Sequence, residues 1–419
     1  MTRHRTIYLA LILAALGWNM GPASDWGLAR AQDPARAETL RPEVAKALQE
    51  AQELLKTQKY NEALTKVAEA DSARDKTSFD NFYINRIRGA VAIAAGDNEL
   101  AVKSIEAVFA TGRLSAPDQL KLIEALADSY YGAKEYAKAA VWAARFFNEG
   151  GTGARMRTLL IQSYYTGNEF SNAARELQSE ILAAEKSGQA PVESQLLMLA
   201  SSYVKLNDNA GYVSVLEKLI TYYPTQDYWA DITKRTLQRP GYAERLSLDT
   251  YRLLLATGNL GGAANFTNMA QLAARTGFAL EGKKTLDRGF ASGVLGTGTE
   301  AGRHGQLRDQ LTKQASADQK ALERDATNAT AAKDGTGLVN VGFNFVSDGQ
   351  FDRGLAMMEQ GIGKGGLQNP EDAKLHLGIA YLLAGQKVKA IQMFKAVQGT
   401  DGTGELARLW ILLAPRFAG

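Results

Sequence analysis

The chain has 419 residues, with 48 Lys and Arg against 45 Asp and Glu, three histidines and no cysteine. The missing cysteine excludes disulfides, thiolate metal sites, a cysteine nucleophile and lipid attachment to an N-terminal cysteine. The near-balance of charge argues against a dedicated nucleic-acid binder, which concentrates basic residues on one face.

The first element is a short apolar run, Ile7 to Leu16, preceded by Arg3, His4 and Arg5 and followed by the small-residue triplet Ala29-Arg30-Ala31. A basic start, an apolar stretch of this length and an A-x-A site describe a secretory signal peptide over residues 1–31. The run is shorter than the ~20 residues of a spanning helix. Cleavage after Ala31 or after Ala37, or retention of the segment as an anchor, are the three outcomes to separate. Removal of residues 1–31 leaves 45 basic and 44 acidic side chains, a net charge near +1. The expected product is a periplasmic protein without stable membrane insertion, with secretion or a retained signal anchor as alternatives.

After Pro42 nearly every segment reads as amphipathic helix, because apolar residues recur at three- and four-residue spacing. Ala51, Tyr60 and Ala63 mark one helix pair, and Gly89, Gly96 and Ala101 the next. The strongest internal echo follows: SYYGAKEYAKAA from Ser129 recurs as SYYTGNEFSNAA from Ser163, thirty-four positions later, with six of twelve residues identical. Ala200, Tyr203, Leu216, Leu219 and Pro224 mark another pair, in which Tyr212 stands where a small residue is expected. The spacing then stretches, giving a degenerate pair over 226–257 and a second pair broken near Gly277. Residues 296–337 are polar and carry one long helix, about Leu307 to Ala331, which reads as an unpaired helix, a hinge or a mobile insertion. Gly342, Phe345, Gly349, Phe351 and Gly354 restore the pattern, and Leu377-Gly378, Tyr381, Gly385, Ala390 and Phe394 repeat it.

A fixed period of 34 residues with small residues at helix contacts resembles the tetratricopeptide repeat (TPR) family. The resemblance runs from about residue 43 to the C-terminus. It implies an all-α, TPR-like α-solenoid, a right-handed superhelix of antiparallel helix pairs. The expected blocks are 42–224, a degenerate stretch 225–295, the polar segment 296–337, and 338–419 with a capping helix. Tyr130, Tyr164, Tyr203 and Tyr381 read as packing residues, since Gly or Ala lets helices approach and an aromatic fills the gap beside them.

Chemistry-bearing patterns are sparse. His304 and His376 share no local spacing and no cysteine assists them, so a zinc site is not indicated and both read as surface histidines. The glycine runs 293–305 and 361–366 lack the strand-to-helix setting of a phosphate loop and read as inter-helix loops. No nucleophile elbow occurs, and no cofactor, metal or catalytic set is expected. The resemblance implies that the first helix of each pair lines a concave face that holds a protein or peptide. Carried onto this sequence, that face comprises Arg86, Asp128, Tyr131, Gln162, Tyr165, Ser201, Lys205, Asn340 and Phe343, with Tyr131 and Tyr165 side by side as an aromatic step. The implied role is a non-catalytic scaffold binding an envelope component. The competing expectation is an enzyme, or an accessory to carbohydrate processing, with its site in residues 226–337.

Overall fold

A computed structural model describes residues 38–417, and every regular element among them is helical. The signal segment and both cleavage positions lie outside the described residues. The chain divides into two compact units at Asn209/Ala210, so residues 210–224 belong with the second unit.

The first unit is a run of helix pairs: α1 (Pro42–Lys56) and α2 (Tyr60–Asp71), α3 (Ser78–Ala95) and α4 (Asn98–Phe109), α5 (Ala116–Gly132) and α6 (Tyr136–Asn148), α7 (Ala154–Thr166) and α8 (Phe170–Lys186), then α9 (Glu193–Lys205). The turn inside each pair has one recurring design. After α1, α3, α5, α7 and α9 a single residue enters the left-handed region: Gln58, Gly96, Lys134, Asn168 and Asn207, with φ between +56° and +81°. The next N–H then donates back to a carbonyl three places inside the helix. Those acceptors are Leu54, Ala92, Tyr130, Tyr164 and Tyr203, at 2.8–2.9 Å. This is the Schellman closure, which satisfies carbonyls a helix end otherwise leaves bare. The echoed tyrosines therefore do two jobs: their backbone closes the helix and their rings fill the interior. Tyr130 and Tyr203 are buried as expected, whereas Tyr164 is half-buried.

In the first unit α1, α3, α5 and α7 each pack on the helix that follows, and α1 packs on α3, α3 on α5 and α5 on α7. Leu48, Ala51 and Leu55 of α1 meet Ala63 and Val67 of α2 and Ile84 and Ile87 of α3. A second cluster joins Ile105, Ile123, Leu126, Tyr130, Trp142 and Phe146. Each such large side chain contributes roughly 1.5–3 kcal/mol by leaving water, and none of this depends on ion pairs.

The second unit contains α10 (Asn209–Tyr222), α11 (Gln226–Leu237), α12 (Ser247–Ala256), α13 (Ala263–Arg275), α14 (Ala279–Ala291), α15 (Ala301–Ala331), α16 (Thr336–Ser347), α17 (Phe351–Lys364), α18 (Pro370–Leu383), α19 (Lys387–Lys395) and α20 (Thr403–Leu413). The same closure returns after α12, α13, α16 and α18, at Gly258, Gly277, Gly349 and Gly385. Tyr212 is accommodated on α10 because its hydroxyl donates to Asp231 at 2.6 Å and the Arg235 guanidinium lies over its ring. The long helix α15 is one layer of the stack. Leu311, Ala315, Leu322, Ala326 and Ala329 form one buried stripe, and Leu322 and Ala326 meet Phe345 of α16. That packing replaces the expected hinge or mobile insertion.

The second unit also closes on itself. Its first helices meet its last: Arg408 of α20 pairs with Glu217 of α10 at 2.7 Å. Arg416 donates to the Thr221 carbonyl at 2.6 Å, and the Ala243 N–H donates to the Asp401 carbonyl at 2.8 Å.

Candidate partner-binding face

On the first unit, Glu124 and Asp128 stand one turn apart on α5 and both pair with Arg155 of α7. One Arg155 nitrogen lies 2.9 Å from each Asp128 oxygen. Burial pushes the Asp128 carboxyl above its usual range, and Arg155 offsets only part of that. Asp128 is thus buried and already paired, so its role is to join α5 to α7. It is not a free group awaiting a partner.

Tyr131 and Tyr165 do not form the expected step. Each ring meets the first residue of the following helix in its own pair: Tyr131 on Tyr136 at 5.3 Å and Tyr165 on Phe170 at 5.6 Å, both edge-on. The Schellman turn brings that next helix directly beneath the ring, so the intra-pair contact wins. Tyr165 still links neighbouring pairs, because its hydroxyl shares a 2.8 Å hydrogen bond with Ser201 of α9. Gln162 and Arg86 are half-buried, with the Arg86 guanidinium 6.0 Å from the Phe82 ring centre, and Lys205 is exposed.

Two residues were missed on α9. Leu197 and Val204 flank Ser201 at helical spacing, and they stay 44% and 52% exposed. The signal was present in the sequence: Val204 follows Tyr203 as Tyr131 follows Tyr130 and Tyr165 follows Tyr164. Together Tyr165, Ser201, Leu197 and Val204 make a mixed apolar and hydroxyl surface across α7 and α9.

In the second unit the expectation divides. Asn340 is exposed on α16. Phe343 is only 2% exposed and cannot touch a partner. Its ring lies 5.4 Å from Phe278 and 5.8 Å from His376. The cause is the self-closure, which brings α12 over that face. Arg252 of α12 lies 4.6 Å from the Phe343 ring centre and 5.1 Å from that of Phe278. Its guanidinium donates to both Glu281 oxygens at 2.6–2.7 Å and to Asp249 at 2.7 Å.

Neither histidine is a simple surface group. His376 Nε2 shares a 2.9 Å hydrogen bond with the buried Asp249, and His304 is buried, accepting at Nδ1 from the Gly296 N–H at 3.3 Å. Burial drives the Asp249 carboxyl up, but His376 and Arg252 more than reverse this and hold it at about 2. Sequence reasoning missed this cluster because His376 and Asp249 are 127 positions apart. Among the described residues, no group of three or more His, Asp or Glu could hold a metal ion.

No family model matches the chain, and no curated protein matches it. Solved structures similar to it include yeast Tom70, at 11% identity and a TM-score of 0.25, covering 89% of this chain and 96% of that one. The TPR domain of P58(IPK) is similar at 13% identity and a TM-score of 0.21, covering 89% of this chain and 98% of that domain. At these TM-scores the neighbours carry no argument. The fold assignment rests on the helix pairs and their shared closures.

Proposed function

We propose that the chain is an exported, non-catalytic scaffold of the bacterial cell envelope that holds another protein against the first unit. The observation that carries this reading is the α7–α9 surface. Leu197 and Val204 remain open to solvent beside the Tyr165–Ser201 hydrogen bond, which joins α7 to α9. Apolar residues grouped on one face, with hydroxyls and an amide beside them, suit a protein partner. Gln162 and Lys205 supply further polar contacts. The contact surface is assigned to Arg86, Gln162, Tyr165, Leu197, Ser201, Val204 and Lys205, with Asn340 a separate exposed position.

An enzymatic reading places chemistry in residues 226–337. Acid groups do converge there, as Asp249 and Glu281, but both are ion-paired to Arg252. That arrangement suits structural closure better than proton exchange with a substrate. Among the described residues no helix is long and apolar enough to cross a membrane.

The test is co-purification from cell envelopes of the full chain against Leu197→Glu/Val204→Glu. Both positions are exposed, so folding is expected to persist, checked by helix content and melting. Loss of a partner that wild type retains supports the reading. Identical recovery removes α9 from the binding face.

A further inference from the structure

The closure of the second unit is made by one strap. The segment 242–257, which contains α12, lies between two glycine-bearing connectors: Pro240-Gly241 on one side and Gly258 to Gly262 on the other. Gly241, Gly258 and Gly261 all have φ between +75° and +84°. Such connectors absorb large backbone changes without disturbing the helices they join.

Three layers hold the strap down. At the edge, Arg245 forks onto Asp372 at 2.8–2.9 Å and onto Asp401 at 2.5 Å. Arg239, on the α11 side of the Pro240-Gly241 connector, pairs with Glu405 and donates to the Thr400 carbonyl, so those contacts persist when the strap lifts. At the seam, the Tyr242 ring lies against the backbone of Gly402, where a β-carbon would collide with it. Beneath, the strap contributes Asp249 and Arg252 to the cluster with Glu281 and His376, and buries Leu246 and Leu253.

We propose that this strap is a releasable latch, closed over the inner face of the second unit and able to open as one piece while the α13–α19 stack stays folded. The ionic layers are the reason. Arg245 and Asp401 are each 37% exposed, so that pair exchanges for water more readily than the Arg245–Asp372 fork, whose carboxylate is 13% exposed. The buried cluster regains full hydration when the strap lifts, which offsets much of what its ion pairs contribute. An all-leucine strap would recover nothing comparable. Leu246 and Leu253 make the closed form the ground state, and opening uncovers the Phe278 and Phe343 rings.

The test is native-state hydrogen exchange on the full chain at neutral pH, read by peptide mass spectrometry. Amides of 244–257 should exchange on the order of tenfold faster, after correction for intrinsic rates, than those of α16 and α18. Arg245→Ala should accelerate the strap further and leave α16 and α18 unchanged. Exchange of strap, α16 and α18 at one common rate in both proteins would overturn the proposal. If Arg245→Ala does not fold, wild type in a urea series decides it. A shallower urea dependence for strap amides than for α16 supports the latch, and equal dependence rejects it.

Discussion

At Gly342 and Gly354 the backbones of α16 and α17 touch. A β-carbon on Gly342 would lie 2.7 Å from the Gly354 carbonyl, and one on Gly354 would lie 2.6 Å from the Gly342 carbonyl. Backbone cannot swing aside as a side chain does, so Gly342→Ala should destabilise the second unit by ~1–3 kcal/mol in urea melts. A loss of a few tenths would mean the helices can slide apart freely. Asp249 gives a second residue-scale expectation. Its carboxyl titrates at about 2 in the fold, below its unfolded value of ~3.9. Its contribution is therefore present above the unfolded value and is lost as the pH falls through the folded one. Asp249→Asn should flatten that part of the stability profile and cost stability at neutral pH, by leaving Arg252 with one partner. An unchanged acid slope in the variant would contradict the pairing.

At the scale of the element, the shared closure explains why the repeat was legible. The residue before each carbonyl-capping turn must be a good packer, and the residue after it must tolerate positive φ. Sequence displays both, as Tyr130/Lys134, Tyr164/Asn168 and Tyr381/Gly385. Lys134 fits less well than Asn168 or Gly385, with φ +64° on a side chain that cannot hydrogen-bond its own backbone as Asn does. Lys134→Gly should stabilise the first unit by up to about 1 kcal/mol, less the chain entropy that glycine costs. A clear loss of stability would show that the Lys134 side chain makes a contact worth more than the strain. What stayed hidden was contact between distant elements. The family frame put Phe343 among the partner-binding residues, but it could not show that α12 covers its ring. It also placed Tyr131 and Tyr165 one step past the packing tyrosines, yet the partners of their rings depend on where the next helix lands.

For the whole molecule, the two units differ in what their inner faces do. The first keeps Leu197 and Val204 in solvent; the second fills its own face with Arg252, Phe278 and Phe343. A scaffold reading therefore concentrates on the first unit. Export is a separate expectation. Mass spectrometry of the mature chain should find a start at Gln32 or Glu38, and a chain retaining Ile7 to Leu16 would favour an anchored form. The most direct measurement of the central claim is site-specific photo-crosslinking in cells, with the reactive residue placed in turn at Gln162, Leu197, Val204 and, as a control on the other helix of a pair, at exposed Leu182. The account predicts one shared crosslinked protein from Gln162, Leu197 and Val204 and none from Leu182. Equal crosslinking from all four positions, or from Leu182 alone, would contradict it.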